Sequence, residues 1–427
     1  MTRESTISRA VEMLLPLYGV WPGRWCVVIF RVFWVVSVMF IIFCHYRYFV
    51  SHASIKNFFD LVDCLSSFLA HVKVIMKFIM FWINERKLME MLALMTDDWR
   101  DRANKNDGGM SVMVSKAKTS DRITNAIMII HILGVMMYSI GIIIADADIT
   151  DETIEAPYIN KLDFPFRIDT QSMYRFVLIV ECIHMLVINM GAGIANAILL
   201  SLTLHVGGQI DILQRQLSEL EVADLESGLR SIVGTASEII RKHHRIIYFS
   251  ENIEILYTYI ALVLFASNII MICSLGFLIV TAIGTPDAKK QIIRSLMFYT
   301  LTNLEAFIFC FAGEYLNNKS SRLRSVQLRV VQSEAQGKPH PIVHNPEVAE
   351  AINAHGWQDD RSHPGILRKC KIHAEQCDKC ETIALMNTPR DTHIHTHTRA
   401  RAINDFSSPD RKRLLRRFPK HFDRKTC

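Results

Sequence analysis

Cys370, His373, Cys377 and Cys380 bring four thiol and imidazole groups into eleven residues, the ligand types of a tetrahedral zinc site. The three residues between the two pairs leave little room for both to face one ion. The set therefore reads as chance composition, and no metal is assigned. Close by, Thr392-His393-Ile394-His395-Thr396-His397-Thr398 alternates as a translated dinucleotide repeat would, with a metal-binding tract as the competing reading. The basic run Arg411-Lys412-Arg413-Leu414-Leu415-Arg416-Arg417 could hold anionic lipid or act as a nuclear signal. A solvated charge run is preferred, and no nucleic acid is implied. Ionisable residues inside apolar stretches are costly, which makes them functional candidates. Glu181 and His184 share a helical face at a spacing of three and could pair, or bond a neighbouring helix. Glu305 and Asn303 could face a cavity or a neighbouring helix. Gly191, Gly193, Ala195 and Ala197 are spaced for close helix approach. The sequence holds no Walker loop, zinc-protease motif, nucleophile elbow or paired catalytic carboxylates, so an enzyme is not expected and no cofactor is implied.

The elements that must carry these residues are membrane helices. Half of the 427 residues are hydrophobic, and a bilayer core of ~30 Å needs ~20 apolar residues in a helix. Residues 25–44, 123–144, 174–204, 253–283 and 292–316 meet that length. Residues 61–82 form the weakest span, because Asp63, His71, Lys73 and Lys77 interrupt it. The two lysines lie toward the end expected to be cytosolic, where long side chains can snorkel. The expectation is an all-α polytopic membrane bundle of six helices. Cys26, Cys44, Cys64, Cys182, Cys273 and Cys310 sit singly in or beside the spans and give no disulfide framework.

Basic residues crowd every second connection. The leader holds Arg3, Arg9 and Arg24, the second connection holds eight Lys and Arg from Arg86 to Arg122, and the fourth holds five from Arg215 to Arg245. The first connection has only Arg47 and Lys56, the third Lys161 and Arg167, the fifth Lys289 and Lys290. The positive-inside rule puts the amino terminus in the cytosol, inverted relative to a G-protein-coupled receptor. The leader, residues 1–24, has no cleavable signal pattern, so the first span serves as an uncleaved anchor. The acidic third connection reads as an extracellular loop. In the fourth, Ile210, Leu213, Leu217 and Leu220 extend helix four with an apolar stripe, directed at a partner subunit or folded onto the chain itself. The receptor domain spans 25–320. Residues 321–427 carry a net charge of +8 and nine of the 17 His, with no apolar run near 18 residues. Such a composition favours disorder, and the tail looks like a gene-model artefact.

Four strings in order resemble the insect odorant receptor family, of expanded hymenopteran type: Leu17-Tyr18-Gly19-Val20-Trp21-Pro22, His205-Val206-Gly207-Gly208-Gln209-Ile210, His243-His244 with Glu251-Asn252-Ile253, and Phe311-Ala312-Gly313-Glu314-Tyr315-Leu316. The resemblance implies an odorant receptor subunit. It would bind small volatile ligands and gate a non-selective cation channel with a co-receptor subunit, as a tetramer in the plasma membrane of the olfactory dendrite. It also implies a pocket among helices two, three, four and six, to which Phe68, Val72, Met136, Met137, Ile140, Tyr174, Phe176, Val180, His184, Phe298 and Tyr299 are assigned. The family continues into a seventh, pore-lining helix, where this chain supplies the polar tail. A gustatory-type receptor of the same superfamily and a non-signalling fragment without the pore helix are the alternatives.

Overall fold

A chain crossing a bilayer must satisfy its backbone donors and acceptors internally, and an α-helix does so within one segment. In the computed structural model, described over residues 5–20, 25–54, 58–103, 108–145, 158–222, 229–284 and 288–335, all regular structure is helical. α1 (Arg9–Leu14) runs into a 3-10 turn (Leu15–Tyr18). There follow α2 (Trp25–Ser51), α3 (Phe58–Ile83), α4 (Glu85–Ala103), α5 (Gly109–Ala145), α6 (Gln171–Val222), α7 (Leu229–Ala282) and α8 (Ala288–Ala335). All of these belong to one unit, Met1–Lys379. Among the described residues six helices, α2, α3 and α5 to α8, are long and apolar enough to cross a membrane, and α4 is the polar addition between the second and third. The chain is thus a membrane helix bundle of the expected class.

The 52 residues of α6 make a rod of about 78 Å at ~1.5 Å per residue, well beyond a bilayer core. The surplus of α6, α7 and α8, with α4, builds one end of the bundle, here called the extension end. The opposite, loop end carries the links from α2 to α3 and from α5 to α6. α3 turns its polar residues inward: Asp63, His71, Lys73 and Lys77 are all buried. Lys73 and Lys77 therefore do not snorkel. They bond Glu305 of α8, a partner too distant in sequence to be read as a pair. α2 does the opposite and exposes Val28, Ile29, Val32, Phe33 and Val36, a surface that suits lipid and not water.

The leader is a wedge in this core. Tyr18 is fully buried and stacks on Phe78 and Trp34 at 4.9 and 5.4 Å, while its hydroxyl donates to the Val187 carbonyl at 2.7 Å. Burial pushes its phenol far above the usual range. Gly191 makes room for it, since a Cβ there would lie 2.7 Å from the Tyr18 ring. That is the close approach expected of the small-residue stripe.

At the extension end Ile210, Leu213 and Leu217 are buried in the core of their own chain, the second of the two readings open for that stripe; the Leu220 side chain lies outside the described residues. Gly207 lets the Tyr315 ring lie against the α6 backbone, where a methyl group would collide with it. Asp211 then pairs with Lys116 of α5 at 3.1 Å and with Lys319 of α8. α8 continues through Ala335, past the boundary expected at residue 320. Its added residues include no Gly or Pro until Gly337, so nothing breaks the helix there. Cys44, Cys64, Cys182 and Cys273 are free thiols, but Cys310 is disulfide-bonded, which corrects its reading as a single cysteine. Spacing along a chain does not reveal which runs abut. The zinc-type set at 370–380, the Thr-His alternation and the basic run at 411–417 lie outside the described residues.

Candidate functional site

Four helices and one loop meet at the loop end. Arg294 enters from α8 and reaches three partners: the Asp63 carboxylate of α3 at 3.3 Å, the Tyr138 hydroxyl of α5, and the Ile159 carbonyl at 2.8 Å. Its guanidinium also lies over the Tyr138 ring, 4.1 Å from the centroid. A planar cation suits this work, because it donates in several directions and stacks on an aromatic face at once. Glu181 of α6 receives the Ile159 and Asn160 backbone N–H groups at 3.1 and 2.6 Å, and the Asn160 side-chain amide at 2.9 Å. Those three donors fix the loop onto the helix, so Glu181 bonds the loop and not His184. Tyr138, Ile142, Ile159, Tyr174 and Leu178 form the apolar body around these groups, with Phe298 packed against it. Tyr158 stands at its rim, where burial and the nearby Glu181 charge hold the phenol above its usual range.

The loop is tied down on its other side as well. Lys161 pairs with Asp60 at 2.8 Å, Ser51 donates to Asp163 at 3.1 Å, and the Asp163 N–H bonds the Cys44 carbonyl at 3.3 Å. Residues 158–164 thus close the end of the bundle over α3, α5 and α6.

Beneath this cover, α2, α3 and α6 contribute a row of imidazoles. The His45 and His71 rings lie 5.5 Å apart, and the His71 and His184 rings stack at 5.6 Å with their planes 12° apart. The edge of Phe68 meets His45 at 6.5 Å. Lower in the bundle, Glu305 takes bonds from Lys73 at 2.8 Å and from Lys77. Lys73 also donates to Asn268 of α7 at 3.0 Å, and Lys77 to Asn196 of α6 at 3.2 Å. This network ties α3 to the other three helices through their interior. Asn303 of α8 bonds back along its own helix, to the Tyr299 carbonyl at 2.9 Å.

The residues assigned from the sequence divide between inside and outside. Tyr174 and Phe298 meet in the aromatic body, His184 belongs to the imidazole row, and Phe68 flanks it. Val72 and Tyr299 are half-buried. Met136, Met137, Ile140, Phe176 and Val180 point outward, with Phe176 the most exposed at 65%. A helix has an inner and an outer face, and an all-apolar run does not reveal which residue is on which. Sequence reasoning left Asp63, His71 and Glu181 without a place in the site, although their cost in an apolar run was the signal. Tyr138, Arg294 and His45 were missed. They fall near span ends, where polar residues attract no notice.

The arrangement offers aromatic and aliphatic surface with a few fixed polar groups, the character of a site for a small amphipathic molecule. Among the described residues no cluster of His, Cys, Asp or Glu is placed to hold a metal ion.

The family model described as 7tm Odorant receptor matches residues 57–326. Two solved structures of the olfactory receptor OR5 of the insect Machilis hrabei share the fold. The first has 13% sequence identity and a TM-score of 0.62, covering 89% of this chain and 97% of that one. The second, in complex with eugenol, has 14% identity and a TM-score of 0.63, covering 89% of this chain and 95% of that one. No curated protein matches the sequence.

Proposed function

The chain belongs to the 7tm odorant receptor family, and from that premise we propose that it is the odorant-binding subunit of a ligand-gated, non-selective cation channel completed by a co-receptor subunit. It is a multi-pass membrane receptor and not an enzyme. The observation that carries the proposal is the meeting of α3, α5, α6 and α8 around Asp63, Tyr138, Glu181 and Arg294. There polar groups from four helices are held in an aromatic surround at one end of the bundle. A ligand seated among these helices contacts every element the Arg294 hub connects. Binding there that favours one packing over another shifts the bundle between two states, which is what gating requires. The basic leader, second and fourth connections support a cytosolic amino terminus, with the loop end and its ligand site facing outside. The working place of such a subunit is the plasma membrane of an olfactory dendrite.

Expression with an insect odorant co-receptor in cells, under voltage clamp, tests the reading. Volatile panels that include eugenol are expected to evoke cation current only when both subunits are present. Full surface delivery of both with no current from any volatile would contradict it.

A further inference from the structure

The imidazole row brings polar rings from α2, α3 and α6 together in the bundle interior. His45 and His71 are 1% and 2% exposed, and His184 stacks on His71, yet the Nε2 atom of each of the three has no hydrogen-bond partner. The state of one is fixed by its other nitrogen. His71 Nδ1 lies 2.8 Å from the Ser67 carbonyl, which can only accept, so Nδ1 carries the proton. In the neutral ring Nε2 is then a lone-pair acceptor. An unmatched acceptor in a bundle interior is a deficit that a matching donor cancels.

A metal does not fit the row. Zinc needs nitrogen ligands converging at ~2.0–2.1 Å, whereas His71 and His184 lie nearly parallel at 5.6 Å. The row suits a neutral hydroxyl. Phe68 meets His45 edge-on and gives the row an apolar neighbour.

We propose that His45, His71 and His184 form the polar subsite of the ligand site and select small volatiles that carry a hydroxyl group, alcohols or phenols, whose O–H donates to the His71 Nε2. The proposal rests on the reading that the chain binds a volatile at this end, and it adds the chemical class. A hydrocarbon or methyl ether of the same skeleton leaves the His71 acceptor unpaired. Sites built to hydrogen-bond a hydroxyl discriminate strongly against analogues without one.

The test separates binding from current. The full chain in lipid nanodiscs is titrated with para-cresol and with para-methylanisole, and binding is followed by saturation-transfer NMR. The wild type is expected to hold the phenol about tenfold more tightly than the ether, the ratio that ~1.4 kcal/mol of differential binding gives. In His71→Phe and His184→Phe, each checked for helicity by circular dichroism, that ratio is expected to fall toward one. Equal affinities in the wild type, or a ratio unchanged in both variants, would overturn the subsite. Current from cells with the co-receptor is recorded separately. Selective phenol binding without current leaves the subsite standing and counts against the receptor reading. Current without hydroxyl preference does the reverse.

Discussion

Glu305 faces two lysines in the bundle interior, and the imbalance makes its removal more costly than theirs. Glu305→Gln strands Lys73 and Lys77 as buried, uncompensated charges, a change that typically costs about 3–5 kcal/mol. Lys73→Met leaves Lys77 paired with Glu305 and is expected to cost less. Melting temperatures of the two variants in nanodiscs check the order, and equal losses would contradict the network. The same logic applies to Arg294, which no other described cation replaces beside Asp63, Tyr138 and the Ile159 carbonyl. These residues were half legible. The cost of Asp63, His71, Lys73 and Lys77 in an apolar run marked them, but partners more than 100 residues away decided their role. The lysines looked free to snorkel only because Glu305 was out of sight.

At the scale of elements, close contact between helices governs what the extension end tolerates. Gly207→Ala puts a methyl group into the Tyr315 ring. Overpacking of this kind typically costs about 1–3 kcal/mol, so a lower melting temperature is expected, with recovery in Gly207→Ala combined with Tyr315→Ala. A variant as stable as the wild type would show that α6 and α8 are looser there. Tyr18→Phe removes only the bond to Val187, and interhelical bonds in membranes average ~0.6 kcal/mol. A small effect is therefore expected, against a large one for Tyr18→Ala, which empties the space between Phe78 and Trp34. The six spans could be read from apolar length, and the Gly191 stripe from its small residues. The burial of Ile210, Leu213 and Leu217 could not, since an amphipathic stripe has the same pattern whether it meets its own chain or another. α4 was passed over as a loop because its polar face masks the buried Leu88, Met91, Met95 and Trp99.

The unit that holds the described residues is a bundle with two unlike ends: one closed by residues 158–164 over an aromatic and polar cluster, the other drawn out into long helical extensions. The orientation proposed from the basic connections puts the extensions in the cytosol. An epitope at the amino terminus should therefore be labelled only after permeabilisation, and labelling of intact cells would reverse the orientation. The central claim is that a volatile bound at the α3, α5, α6 and α8 meeting point drives the channel. The most direct test is the concentration–response curve of volatile-evoked current for the wild type and for Arg294→Gln, each with the co-receptor and at matched surface levels. The account predicts current from the wild type and, in the variant, a loss or a shift of about tenfold or more, as expected when a buried charged hydrogen-bonding partner is removed. A wild type that carries no current, or a variant curve that overlays it, would contradict the account.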